Sequence, residues 1–123
     1  MIAAGPVERG LPRAYLRAVL LVLVAAGPTH GYELLEQVRQ AGIRLADPGG
    51  LYRTLRAMER EQVLASWWEN SSSGPPRRTY TLTSTGRAAL AVQVGEMREM
   101  IGLLSELVAR ADGVVGRAGR AGR

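Results

Sequence analysis

Asp47-Pro48-Gly49-Gly50-Leu51-Tyr52-Arg53-Thr54-Leu55-Arg56-Ala57-Met58-Glu59-Arg60-Glu61-Gln62 is the stretch on which the fold turns. An acid followed by proline is a helix start, because Asp caps the first free amides and proline suits the first helical position. At about 100° per residue, Leu51, Leu55 and Met58 share one side, and Arg53, Arg56 and Arg60 share the other. Gly49 and Gly50 are unusual in a first turn, since each lowers helix propensity by about 1 kcal/mol relative to Ala. Two readings stay open for them. Either the turn is frayed, or the backbone is kept bare so that a phosphate or base edge can come near.

Beyond Gln62 the period changes. Val63 to Glu69 is strand-like, and in Arg77-Arg78-Thr79-Tyr80-Thr81-Leu82-Thr83 the residues Arg78, Tyr80 and Leu82 alternate with Arg77, Thr79, Thr81 and Thr83. Between them, Asn70 to Pro76 is polar and proline-bearing, which predicts a flexible tip projecting into solvent. A helix anchored by one face and arginine-bearing on the other, with a basic hairpin after it, is the pattern of a winged helix-turn-helix. The fold class expected is therefore mainly α (α+β): a winged helix-turn-helix with a long C-terminal dimerisation helix.

Outward from that centre, residues 1–12 read as a loose arm with Gly5, Pro6, Gly10 and Pro12. Residues 13–83 form the winged domain. Its first helix is apolar all round after Arg17, which implies burial on several sides, in a core or in a subunit interface. Leu16 and Leu20 are its candidate interface residues. Gly27-Pro28 ends it, Thr29 is a candidate N-cap for the second helix, and Glu33 suits that helix's first turn. Leu34, Leu35 and Val38 form the second apolar stripe, and Gly42 supplies its stop.

The last helix is expected over residues 84–110, capped by Thr83 or Ser84. Leu90, Val94, Met97, Ile101, Leu104 and Val108 are spaced as a heptad seam, widened by Val92, Met100, Leu103 and Leu107. Arg87, Arg98 and Arg110 balance Glu96, Glu99 and Glu106. A neutral helix longer than a small winged domain needs for its own core reads as a homodimer contact, the alternative being packing within its own chain. The tail, 111–123, repeats Gly-Arg-Ala and reads as a disordered basic segment.

Composition narrows the function. The net charge is +5, but residues 113–123 carry three arginines and no acid, so residues 1–112 hold 13 Arg against 11 acids, a net of +2. Any nucleic-acid affinity must come from where those arginines sit. The absence of Cys removes thiolate chemistry and Cys-ligated metals, and a single histidine, His30, excludes a His-rich cluster. No metal, cofactor or catalytic residue is expected, and the chain reads as a non-enzyme. Residues 18–26 are apolar but too few to span a bilayer, so a cytoplasmic protein, nucleoid-associated when on DNA, is expected.

Three motifs carry a resemblance. His30-Gly31-Tyr32-Glu33-Leu34 opens the second helix, Gly50-Leu51-Tyr52-Arg53-Thr54-Leu55 opens the third, and Arg77-Arg78-Thr79-Tyr80-Thr81-Leu82-Thr83 is followed by Gly86. In that order they resemble PadR-like transcriptional regulators over roughly residues 12–110, in the compact subfamily with one C-terminal dimerisation helix. The resemblance implies a dimeric winged-helix protein, usually a repressor released from DNA by a small molecule. This chain departs from it twice. Gln62 stands where the family usually has glycine, which predicts a different exit from the third helix. No aromatic follows Tyr80, and Met97 occupies the region where multidrug-sensing members stack flat ligands.

On this reading the DNA-binding residues are Tyr32, Gly49, Gly50, Tyr52, Arg53, Arg56, Arg77 and Arg78, meeting double-stranded DNA with a palindromic operator. Arg53 or Arg56 would read a base edge, and Arg60 suits a backbone contact or a pair with Glu59 or Glu61. Arg77 and Arg78 point to alternate sides, so one of them would touch DNA fully. His30 reads equally as a phosphate contact or as a solvent-facing helix start. Trp67 and Trp68, on opposite strand faces, would place one ring on the core. With Met97 and Met100 they are candidates to line an effector pocket. The competing function is a winged-helix interaction module whose arginine face docks an acidic protein.

Overall fold

A computed structural model describes residues 10–121. Residues 1–9 of the expected arm, and the last two residues of the tail, lie outside it. Two units are distinguished, one ending at Leu90 and one beginning at Ala91.

The first unit opens with Gly10 to Pro12 and a 3₁₀ turn over Arg13–Tyr15. Helix α1 (Leu16–Ala25), the short strand β1 (Thr29–His30), α2 (Gly31–Gln40) and α3 (Pro48–Arg60) come next. Strands β2 (Leu64–Ser71) and β3 (Gly74–Leu82) then form the wing, and α4 (Ser84–Ala121) begins. The sheet is antiparallel in the order β1-β3-β2. Inside the unit, Leu20, Val24, Leu34, Val38, Ile43, Leu51, Leu55, Met58, Leu64 and Tyr80 make one core, against which Leu16, Ala89 and Leu90 pack. Leu20 is fully buried in this core, so it is unavailable to a subunit interface. An all-round apolar helix leaves that choice open in sequence, and three helices from one chain close over it here.

Both helices that carry the motif end in the same six-residue device. At α2 the amide of Ile43 reaches the carbonyl of Val38 and that of Gly42 the carbonyl of Arg39. At α3 the pairs are Val63 to Met58 at 3.0 Å and Gln62 to Glu59 at 2.9 Å. Gln62 accordingly sits at φ 63, so the exit is the one glycine would make. The different exit expected from the missing glycine does not occur, because the Schellman bonds hold the backbone whatever side chain it carries. Thr83 caps α4: its Oγ1 accepts the amide of Gly86 at 2.9 Å.

Several local expectations are corrected. Thr29 is not a cap; it pairs with Tyr80 in the sheet, and His30 holds the N-cap position without a side-chain bond to the helix amides. A β-branched residue next to a strand partner gains more from the ladder than from capping. Gly10 and Leu11 are tied down rather than loose, with the Leu11 amide donating to the Gly42 carbonyl at 2.8 Å. The polar tip shrinks to Ser72 and Ser73, since the strands run through Asn70 on one side and Pro75-Pro76 on the other. Prolines are tolerated where a strand edge needs no donor. Helix α4 passes Arg110 and continues through Gly113, Gly116 and Gly119 to Ala121. Extending an existing helix costs far less than starting one.

The second unit is α4 from Ala91. Val92, Ile101, Leu103, Leu104, Leu107 and Val108 are exposed there, each by more than half of its surface, while Val94 and Met97 are half-buried.

Candidate nucleic-acid interface

The start of α3 is built around Asp47. Its Oδ2 accepts the Gly50 amide at 3.0 Å, and this bond, ahead of smaller effects from Arg13 and Arg53, holds the carboxyl below its ordinary 3.8. The first turn is formed and capped, so the frayed alternative for Gly49 and Gly50 is not what is seen. A Cβ on Gly49 would lie 3.3 Å from Arg53 Nη1 and from Asp47 Oδ2, which means the bare backbone makes room for the Arg53 guanidinium.

The arginines of α3 do not act as one stripe. Arg53 lines a shallow recess of about 450 Å³ with Arg13, Arg17, Asp47 and Gly50. Arg56 lines an open hollow of about 830 Å³ on the other side, between α3 and the wing. Tyr32, Tyr52, Arg77 and Arg78 share that hollow with it. Gly31 makes the crowding possible, since a Cβ there would sit 3.2 Å from the Tyr80 ring and 3.6 Å from the Tyr52 ring. Arg60 pairs with neither neighbouring acid: Glu59 bonds Arg78 and Glu61 bonds Arg17 of α1.

Aromatic rings hold the wing's arginines. The Arg77 guanidinium lies 5.5 Å from the centre of the Tyr32 ring, which in turn stacks on His30 at 5.8 Å and 3°. His30 is itself fixed, with Nδ1 3.1 Å from Thr79 Oγ1, so it is neither a free helix start nor aimed at solvent. Arg78 lies 5.4 Å over the Trp68 ring and places Nη2 3.4 Å from Glu59 Oε2. Although Arg77 and Arg78 alternate along β3, both line the hollow. Burial, with Glu59 nearby, raises the Tyr80 phenol above its ordinary value at the floor of this region.

Neither tryptophan enters the core. Trp67 is 40% and Trp68 64% exposed, because β2 leaves the core after Leu64 and continues as a free-standing ribbon. Trp68 lines the hollow, and Trp67 bonds Glu69 Oε1 through Nε1 at 3.1 Å. Of the other candidate pocket residues, Met97 and Met100 belong to the second unit. The residue that sequence reasoning missed is Glu59. Tyr52, Arg56 and Glu59 are spaced by four and three, one helical stripe, and that spacing was the available signal.

Three helices and a two-stranded wing, with a long helix leading out of them, define a winged helix-turn-helix protein. The profile of the transcriptional regulator PadR-like family matches residues 19–92, and the chain belongs to that family. A PadR family transcription regulator from hypervirulent Clostridium difficile R20291 superposes with a TM-score of 0.70 and is 26% identical, covering 76% of this chain and 98% of that one. One from Eggerthella lenta DSM 2243 has a TM-score of 0.68 and 27% identity, covering 78% and 83%. An uncharacterised protein of Lysinibacillus sphaericus is 27% identical over 105 residues, which are 81% of this chain and 96% of the relative.

Proposed function

We propose that this regulator binds double-stranded DNA sequence-specifically as a homodimer, and that it represses until an effector releases it. The observation that carries the reading is the hollow between α3 and the wing, where Arg56, Arg77, Tyr32 and Tyr52 converge. An exposed arginine on a capped helix can meet a guanine edge bidentately, while the Arg77 guanidinium on the ribbon and the phenols of Tyr32 on α2 and Tyr52 on α3 can hold phosphates. Gly49 leaves room for the Arg53 guanidinium at the start of the same helix. The exposed apolar residues of α4, among them Ile101, Leu104 and Val108, support pairing of two copies with Leu90, Val94 and Met97 on the same seam. Two copies would favour a near-palindromic operator with half-sites about one helical turn apart. Repression and release rest on the family resemblance; Trp67 and Trp68 on the wing and, separately, Met97 and Met100 on α4 are the proposed effector contacts.

The test is selection of bound duplexes from a random pool, then affinity measured across salt concentrations. The expected result is an inverted-repeat consensus and a steep fall in affinity with salt. Recovery of no consensus, with binding indifferent to salt, would overturn the reading.

A further inference from the structure

Sequence alone makes Arg78 a candidate DNA contact, yet its guanidinium is already engaged on two sides. Nη2 lies 3.4 Å from Glu59 Oε2, and the plane lies 5.4 Å from the centre of the Trp68 ring. Glu59 is committed too. Its Oε1 is buried and has no hydrogen-bond partner among the described residues, so the contact to Arg78 is what compensates this carboxylate. If Arg78 swung out to a phosphate, Glu59 would be left as a half-buried charge with no partner, which is strongly unfavourable. Arg56 and Arg77 carry no such obligation: neither makes an ion pair among the described residues.

We propose that Glu59 and Arg78 form an internal latch, clamped on Trp68, that sets the opening between α3 and the wing. On this view Arg78 is a positioning residue and not a phosphate contact. The latch fixes the separation across which Arg56 on α3 and Arg77 on the ribbon act. This rests on the DNA-binding reading above for its consequence, though not for its existence.

The experiment uses the full chain, with Glu59→Gln, Arg78→Gln, the double variant and Arg77→Gln, each confirmed folded by circular dichroism. Operator affinity is measured against salt. If the latch operates, Glu59→Gln and Arg78→Gln each weaken operator binding by about tenfold, and the double variant is no worse than either. The slope of log K on log salt then stays at the wild-type value in all three. Arg77→Gln instead lowers that slope by about 0.9, the loss of one phosphate contact. The proposal is overturned if Arg78→Gln lowers the slope as Arg77→Gln does, or if Glu59→Gln tightens binding by freeing Arg78.

A second readout is independent of DNA. Amide hydrogen exchange in residues 64–82 should speed up in both single variants to the same extent, with exchange in α1 unchanged. Equal exchange in wild type and variants would remove the latch even if operator binding is found. If the wild-type chain binds no duplex, the DNA reading fails, and the exchange result alone decides the latch.

Discussion

The Thr83 hydroxyl donates to the carbonyl of Gln62 at 2.6 Å while accepting the amide of Gly86 at 2.9 Å. One side chain therefore closes the end of α3 and opens α4, and the Thr83 amide adds a bond to the Val63 carbonyl at 3.2 Å. Thr83→Val keeps the shape and removes both hydroxyl bonds. It should lower stability by about 1–2 kcal/mol, a lost cap and a lost bond to a carbonyl. Thr83→Ser should recover most of this in urea denaturation.

At Gln62 the prediction has the opposite sign. A non-glycine residue at φ 63 is strained, by about 1 kcal/mol in the left-handed region. Gln62→Gly relieves that strain, partly offset by the greater freedom of glycine in the unfolded chain. The net gain should be roughly 0.5 kcal/mol, read as a rise of a few degrees in Tm. A fall in Tm would mean that the Gln62 side chain contributes more than its backbone costs.

Gly86 has no space for a methyl group. A Cβ there would lie 2.1 Å from the Val63 carbonyl oxygen and 2.7 Å from Leu82 Cδ1. Backbone cannot step aside as a flexible side chain can, so Gly86→Ala should cost about 3 kcal/mol or more. Loss of the cooperative thermal transition, or a midpoint lowered by well over ten degrees, is the expected observation.

Asp47 gives the fold a dependence on acid. Its carboxyl is depressed in the folded state, first by the Gly50 amide, so the charged form is the one folding favours. Its contribution is fully present above the ordinary value of 3.8 and is lost as pH falls through the folded value below it. The Tm difference between wild type and Asp47→Ala should therefore be constant from pH 7 down to about 5 and should shrink below about 4. A difference that stays constant to pH 2 would show that the cap does not depend on charge.

Ile101 and Leu104 are 63% and 53% exposed within one chain, so replacing them should cost the first unit nothing. On the proposed homodimer, Ile101→Glu with Leu104→Glu should convert the dimer to a monomer in sedimentation velocity. Operator affinity should drop by about a hundredfold as the two half-sites lose their linkage, with the Tm of the winged unit unchanged.

What was legible in the chain came from periodicity and punctuation. The apolar face of α3, the start at Asp47-Pro48, the stop at Gly42 and the two wing strands depend on neighbours within a turn or two, and all appear. What was not legible depended on distant partners. Thr29 becomes a strand only because Tyr80 lies beside it, and Arg78 is diverted by Glu59, 19 residues earlier. The tryptophans point away from the core because the ribbon outruns it, which alternation alone cannot indicate. Gln62 misled for another reason: glycine is a preference for that backbone and not a condition of it.

The wing has one further consequence. Strand β1 covers β3 only at Thr79 and Tyr80, so among the described residues the outer edge of β3 from Gly74 to Arg78 is unpaired. An uncovered edge invites a foreign strand to add to the sheet, the first step toward aggregation. Pro75 and Pro76 sit on that stretch and carry no N–H, and the guanidinium groups after them add like charge to any second copy approaching in the same way. The ribbon can stand free in water because its edge makes a poor template.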